Sequence, residues 1–254
     1  MSRQREVHSA RRSDRQPSGP HRGREHGVAV PGSHNRPVEN GFRVERWGLI
    51  DYRESLARME ALRDRVLTGA ASTLVFCQHP RTITLGAAFH PENLLVPSPE
   101  LERRGFTLEK VGRGGDVTLH HPGQLVAYPV FDLERFGKDL HLWMRNLEES
   151  VILALASFGL EGRRFPPNTG VWIGDRKVCA MGVQVRKWVS MHGLALNCDD
   201  DLADYGVIVP CGIRDYAVTS LTKEAERTIS TEDAEIALLN AFERVFGPRL
   251  VVDY

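Results

Sequence analysis

The sequence predicts an α+β fold, a mixed or antiparallel sheet flanked by helices. Three observations carry that prediction. β-branched and apolar runs of strand length recur along the chain, some joined by short hairpin-like turns. Three longer segments, spread through the sequence, carry apolar residues at helical spacing. The regular strand–helix alternation of a doubly wound fold is missing.

In chain order, Val44 to Ile50 reads as a strand. Asp51 follows in N-cap position with Glu54 three residues on, resembling a capping box. Tyr52, Leu56, Met59, Leu62 and Val66 then lie at helical spacing, and Gly69 stops the helix. Thr73 to Gln78 and Gln124 to Val130 are strand-like runs. From Leu140 the set Trp143, Met144, Leu147, Val151, Ala154, Leu155 and Phe158 follows the i, i+3, i+4, i+7 rule, and Gly159 ends that helix. Strands return at Val171 to Ile173, Lys177 to Val185 and Val189 to Leu196, with Gly174-Asp175-Arg176 as the turn between the first two. A last helix runs from about Thr231 to Phe246 and stops at Gly247-Pro248.

Residues 1–40 stand apart. They are rich in Arg, Ser, Gly, Pro and His and almost empty of large apolar residues, so they cannot bury enough surface to offset their ordering entropy. A disordered tail is expected there. Its arginines suggest a transit peptide, but no amphipathic face is present and Glu6, Asp14 and Glu25 interrupt the segment. Residues 41–254 then form a single domain.

Composition narrows the function classes. A net charge of zero over 254 residues offers no basic footprint for nucleic acid. No apolar run approaches the roughly 20 residues that span a bilayer, so no membrane partner is expected. The four cysteines include no C-x-x-C pair and no secretory signal precedes them, which argues against zinc or disulfides and for thiols in a reducing cytoplasm. Cys77, Cys179 and Cys198 lie in or beside predicted strands and read as packing residues.

Three stretches are candidates for chemistry. The first is Arg113, Gly114, Gly115, Asp116, Val117, Thr118, Leu119, His120 and His121, followed by Pro122-Gly123-Gln124. Adjacent glycines let a backbone approach a ligand, and the polar residues supply donors. A solvated Gly-rich turn fits the run equally well, and it is no phosphate loop. The second runs from Gly174 to Val183 and contains Lys177, Ala180, Met181 and Gly182. Lys177 reads either as a strand-end residue in solvent or as a cation at a pocket rim that stabilises a thiolate. Ala180 and Gly182 have little bulk, as suits a surface for a flat ligand or a tight β-layer. The third is Val209-Pro210-Cys211-Gly212-Ile213. Cysteine between proline and glycine is unusual for a core residue, and a thiolate there is a nucleophile. By itself this fragment favours the plain reading, a loop cysteine without a role.

Smaller signals remain open on residues alone. His79-Pro80 before Ile83-Thr84-Leu85-Gly86 lines a pocket or simply turns into a strand. Gly193, inside the run Met191 to Asn197 with Leu194 and Ala195, marks close approach of a ligand to a strand. His120, His121 and His192 lack metal-ligand spacing.

Together these stretches resemble the lipoyl(octanoyl) transferase family. The resemblance runs from about Phe42 to Leu221, on His79-Pro80 through Gly86, the Arg113 to His120 run with Pro122-Gly123-Gln124, Lys177 with Ala180-Met181-Gly182, His192-Gly193 with Leu196-Asn197, Pro210 to Ile213, and Thr219-Ser220-Leu221. It implies a fold similar to the catalytic domains of biotin protein ligases and lipoate ligases. The implied activity transfers an octanoyl group from acyl carrier protein to a lysine of lipoyl domains, those of 2-oxoacid dehydrogenases and of the glycine-cleavage H protein. It implies Cys211 as acyl-thioester nucleophile and Lys177 as the residue that activates it. Acyl binding is implied for Arg113 to His120, Ala180 to Gly182 and Gly193 to Ala195. No cofactor is implied, because a thioester donor is already activated, and a cytoplasmic monomer is expected. One departure stands out: the family commonly has His-Gly-Pro-Gly-Gln where this chain has His120-His121-Pro122-Gly123-Gln124. A side chain at 121 is expected to reshape the loop, with consequences for acyl length. Competing readings are an ATP-dependent ligase, a cysteine hydrolase using His120 or His192, and an acyl-binding module in which Cys211 is incidental.

Overall fold

The computed structural model describes residues 41–199, 202–212 and 216–250. The tail expected over residues 1–40, its boundary with the domain, and Ile213 lie outside the described residues. In chain order the elements are β1 (Arg43–Leu49), α1 (Tyr52–Leu67), β2 (Thr73–Gln78), β3 (Thr82–Leu85), α2 (Ser98–Arg103), β4 (Thr107–Lys110), β5 (Val117–His120), β6 (Gln124–Val130), α3 (Leu140–Ala156), β7 (Arg163–Phe165), β8 (Asn168–Ile173), β9 (Arg176–Arg186), β10 (Val189–Asn197), α4 (Leu221–Ala225) and α5 (Thr231–Phe246).

The larger sheet has the order β1-β2-β6-β10-β9-β8-β7. Only β1 and β2 run parallel; the other neighbours are antiparallel. A second sheet, β4-β3-β5, pairs β3 with β4 in parallel and with β5 antiparallel. The expected mixed sheet flanked by helices is therefore present, with a small sheet added to it.

Alternation decides which side chain goes where. Leu74 and Phe76 of β2, Leu125 and Ala127 of β6, and Leu194 and Leu196 of β10 point into a layer shared with Trp143, Leu147 and Val151 of α3 and Leu238 and Phe242 of α5. Val75, Cys77, Val126, Tyr128 and Ala195 point the other way, onto Met59, Leu62 and Val66 of α1. The central strands are covered on both faces, which is why they read as continuous apolar runs. Burying each large apolar side chain contributes about 1.5–3 kcal/mol. A one-residue slip would exchange the two faces, so this double layer fixes the register. A third cluster, with Ile83, Leu101, Phe106, Val117, Leu119 and Tyr205, lies under the small sheet.

Helix ends follow local chemistry, with one departure. Asp51 caps α1 by accepting from the N–H groups of Arg53 and Glu54. Glu54 pairs with Arg58 one turn on. The complete capping box is instead at Ser230 and Asp233, which opens α5. The β8–β9 turn is the residue pair Gly174-Asp175, with Arg176 already paired to Ile173. The β9–β10 hairpin turns on Lys187 and Trp188, both left-handed at φ 49° and 61°. That is the twist a two-residue hairpin needs, provided without glycine or asparagine.

Candidate functional site

Cys211 sits in a short turn, Pro210–Gly212, and is itself left-handed at φ 56°, ψ 18°. That region is costly for a residue with a Cβ, and the surroundings must hold it there. They do so from two sides. The N–H of Val209 donates to Asn93 O at 2.8 Å. Asn93 Nδ2 donates to Asp116 Oδ2 at 2.6 Å, and Asp116 Oδ1 accepts from the N–H groups of Val117 and His90. A Cβ at Gly212 would stand 3.0 Å from Asp116 Oδ2 and 3.1 Å from Asn93 Nδ2, so this pair backs the turn directly.

Lys177 comes from the start of β9. Its N–H donates to Ala217 O and its carbonyl accepts from Thr219 N–H, both at 2.9 Å, in a parallel bridge to Val218. The segment that follows the cysteine turn is thereby tied to the lysine, and Lys177 Nζ donates to Cys211 Sγ at 3.3 Å. Lys177 is not a solvated strand end: it is 6% exposed. Its Nζ lies 5.3 Å from the centroid of the Trp172 ring. No carboxylate among the described residues pairs with it. Cys211 is half-buried, whereas Cys77, Cys179 and Cys198 are buried. Burial pushes the thiols of Cys77 and Cys179 well up, away from nucleophilic use.

A narrow cavity adjoins Cys211. One wall is small and apolar: Ala180, Met181 and Gly182 of β9 with Gly193, Leu194 and Ala195 of β10. Arg113, Gly115, Asp116, Thr118 and His120 line another part. Gly114, Val117 and Leu119 do not line it. Alternation along β5 aims Thr118 and His120 at the cavity and sends Val117 and Leu119 into the core of the small sheet. Gly114 instead bonds β9, its N–H donating to Val183 O at 2.9 Å. A Cβ at Gly182 would stand 2.8 Å from Gly114 O, so glycine there lets the Arg113 loop lie against the strand. The Arg113 guanidinium faces Thr84 and Gly114 O and braces its own loop. Gly193 admits protein rather than leaving room for a ligand alone: a Cβ there would stand 2.2 Å from Ala127 O.

Three lining residues lie outside the predicted set: Tyr52, Tyr128 and His192. Tyr52 reads as an apolar helix position and Tyr128 as strand filling, yet a buried tyrosine needs a partner for its hydroxyl. Tyr128 OH meets His79 Nε2 at 2.7 Å, and His79 Nδ1 meets Ile50 O at 2.8 Å. A carbonyl only accepts, so Nδ1 carries the proton and Nε2 accepts from Tyr128. His79 therefore holds the wall from behind it. Tyr52 OH lies 3.4 Å from His192 Nδ1. Burial lowers the pKa of His79, and that of His192 to about 4, so both rings are neutral near pH 7. Thr118 Oγ1 and His192 Nε2 are buried without a hydrogen-bond partner among the described residues. His120 Nδ1 bonds Gln124 Oε1 at 2.8 Å, and Gln124 Nε2 donates to Asn197 Oδ1 at 2.9 Å.

His121 does not line the cavity. It follows the odd-numbered face of β5 and packs edge-on against Tyr205, ring centroids 5.8 Å apart. A second, smaller cavity is lined by Lys177, Cys211, Thr118, Ala180, Asn197 and Tyr205, so the sulfur lies between two spaces. In chemical terms, a sulfur beside an ammonium has its thiolate stabilised. An adjoining narrow apolar cavity can receive an alkyl chain.

Comparison with known proteins gives the family and the fold. Residues 51–243 match the family described as lipoyl protein ligase A/B catalytic domain. The octanoyltransferase of Christiangramia forsetii is 39% identical over 234 residues, covering 85% of this chain and 98% of that protein. The octanoyltransferase of Flavobacterium johnsoniae is 45% identical, covering 74% and 84%. That of Brucella melitensis is 40% identical, covering 80% and 79%. Among solved structures, a putative lipoate protein ligase from T. acidophilum superposes with a TM-score of 0.65 at 19% identity, covering 84% of this chain and 88% of that one. That likeness speaks for the fold alone.

Proposed function

The chain belongs to the octanoyltransferases of the lipoyl protein ligase A/B catalytic-domain family, and from that premise we propose that it moves an octanoyl group from acyl carrier protein to a lysine of lipoyl domains through a thioester on Cys211. The observation that carries this reading is the 3.3 Å contact of Lys177 Nζ with Cys211 Sγ beside the cavity.

Lys177 Nζ stands beside the sulfur, where a positive charge stabilises a thiolate. The thiolate attacks the carbonyl carbon of the donor thioester, and the carrier leaves as its thiol, taking a proton from the Lys177 ammonium. Ala180, Gly182, Gly193 and Ala195 receive the alkyl chain. Thr118 lines both cavities beside the sulfur, and its unpartnered Oγ1 is a side-chain donor for the acyl oxygen. Lys177 then accepts a proton from the incoming lysine, whose nitrogen attacks the acyl-enzyme. The donor is already activated, so the reaction draws on no nucleotide. The acceptors in this reading are the lipoyl domains of 2-oxoacid dehydrogenases and the glycine-cleavage H protein, and the enzyme works as a cytoplasmic monomer.

Intact-mass measurement after incubation with octanoyl-acyl carrier protein tests the reading. The expected result is a gain of one octanoyl group, mapped to Cys211 and absent from Cys211→Ala. Full transfer by Cys211→Ala would overturn it.

A further inference from the structure

The contact that favours thiolate chemistry also places a second nucleophile beside the intermediate. Resting on the acyl-enzyme reading above, we propose that Lys177 is itself an acylation site: when no acceptor arrives, the acyl group passes from Cys211 Sγ to Lys177 Nζ and ends there as an amide.

Geometry makes the transfer accessible. The acyl carbonyl carbon is one bond from Sγ, and Nζ stands 3.3 Å from that sulfur. Near-attack geometries bring reacting atoms to about 3–3.5 Å, and such placement replaces an encounter in solution by a fixed contact. The lysine is also held in place. Its backbone is bonded on both sides, to Ala217 O and Thr219 N–H. Gly170 lies against its side chain, close enough that a Cβ at 170 would stand 2.8 Å from Lys177 Cε. With 6% of its surface exposed, it has little solvent to turn towards.

Charge decides when the amine becomes competent. An ammonium has three donors and no lone pair, so it cannot attack. Before acylation two neighbours favour the ammonium: the thiolate and the Trp172 face at 5.3 Å. Acylation converts the thiolate into an uncharged thioester, and of the two only the indole face remains. The neutral amine, left once the ammonium has given its proton to the departing carrier thiolate, is the species that serves as base for an incoming lysine. Without one, it attacks the thioester carbonyl. The N–C bond forms, the C–S bond breaks, the thiolate leaves, and the nitrogen gives up its proton to that sulfur. An amide is the more stable product, so the step is one-way and the enzyme loses its activating lysine. Acceptor supply therefore decides between turnover and self-inactivation.

The test incubates the full chain with octanoyl-acyl carrier protein and no acceptor, then maps adducts with and without neutral hydroxylamine, which cleaves thioesters and spares amides. Early samples are expected to carry a labile octanoyl group on Cys211. Later samples are expected to carry a resistant one on Lys177, approaching one per chain, with Cys211 again open to alkylation and transfer activity lost in proportion. Adding a lipoyl domain should suppress the resistant adduct, and Lys177→Arg should show only the labile one. A labile adduct that persists, or is shed as octanoate without ever marking Lys177, overturns the proposal and leaves the acyl-enzyme reading standing. No adduct on either residue overturns the acyl-enzyme reading instead. A resistant adduct on Lys177 in Cys211→Ala shows direct acylation by the donor and overturns the migration.

Discussion

The Lys177 ammonium rests 5.3 Å from the centre of the Trp172 ring, and the ring is itself wedged between Phe165 and Tyr216 at 5.0 and 5.5 Å. An aromatic face steadies a cation by about 0.5–2 kcal/mol without neutralising it. A carboxylate there would compete with the sulfur for the charge. Trp172→Leu is expected to slow alkylation of Cys211 by iodoacetamide at fixed neutral pH by about three- to tenfold, and Trp172→Phe to retain most of the rate. Equal rates in the tryptophan and leucine proteins would rule out the indole as a support for the cation.

Asn93 is expected to matter through position. Its amide holds the Asp116 carboxylate and its carbonyl holds Val209 N–H, both behind the left-handed turn. Asn93→Ala removes the amide from a buried carboxylate at a cost of about 1–3 kcal/mol. We expect kcat to fall at least roughly tenfold if the turn relaxes, because small misplacements of a nucleophile are expensive. Unchanged kcat in a destabilised protein would assign Asn93 to the scaffold alone.

Stability should fall on mild acidification, from the histidines first. Burial lowers the folded-state values of His79 and His192, the latter to about 4, against about 6.5 in the unfolded chain. As pH drops through that window the unfolded chain takes up protons that the native one refuses. The His192 contribution is therefore full above about pH 6.5, declines towards pH 4 and levels off below. His192 alone accounts for roughly 3 kcal/mol of this decline. Urea unfolding at pH 7.5 and pH 5 measures it; a His192→Gln protein with an equally steep profile would refute the assignment.

His121→Gly should leave acyl-length preference unchanged, because the ring packs on Tyr205 rather than into the cavity. Loss of that packing and the extra chain entropy of glycine should lower Tm by a few degrees, corresponding to about 1 kcal/mol. A shifted chain-length profile on octanoyl and longer thioesters would show that the loop transmits the change.

Much of the architecture was readable from periodicity. Strands β2, β6 and β10 and helices α1, α3 and α5 each carry enough buried positions to impose a period on the sequence. The small sheet escaped because β3, β4 and β5 have four residues each, too short for a pattern to declare itself. Helices α2 and α4, at six and five residues, are no longer than a turn or two. The candidate pair was named from the sequence, but its contact was not visible there. It depends on the bridge between Lys177 and Val218, which joins two distant segments with no local signature. Tyr52 and Tyr128 were hidden for another reason: each also serves the core, and pattern alone does not show that a hydroxyl borders a cavity.

The cavity is continuous with the layer between the sheet and α1, since Tyr128 and Ala195 belong to both. An alkyl chain seated there does for the protein what a missing core side chain would do. Loaded and empty enzyme are then two proteins of different hydrophobic completeness, and anything that binds only the folded state raises its stability. Turnover becomes legible as melting temperature: each acyl group taken up should tighten the molecule, and each one delivered should loosen it again.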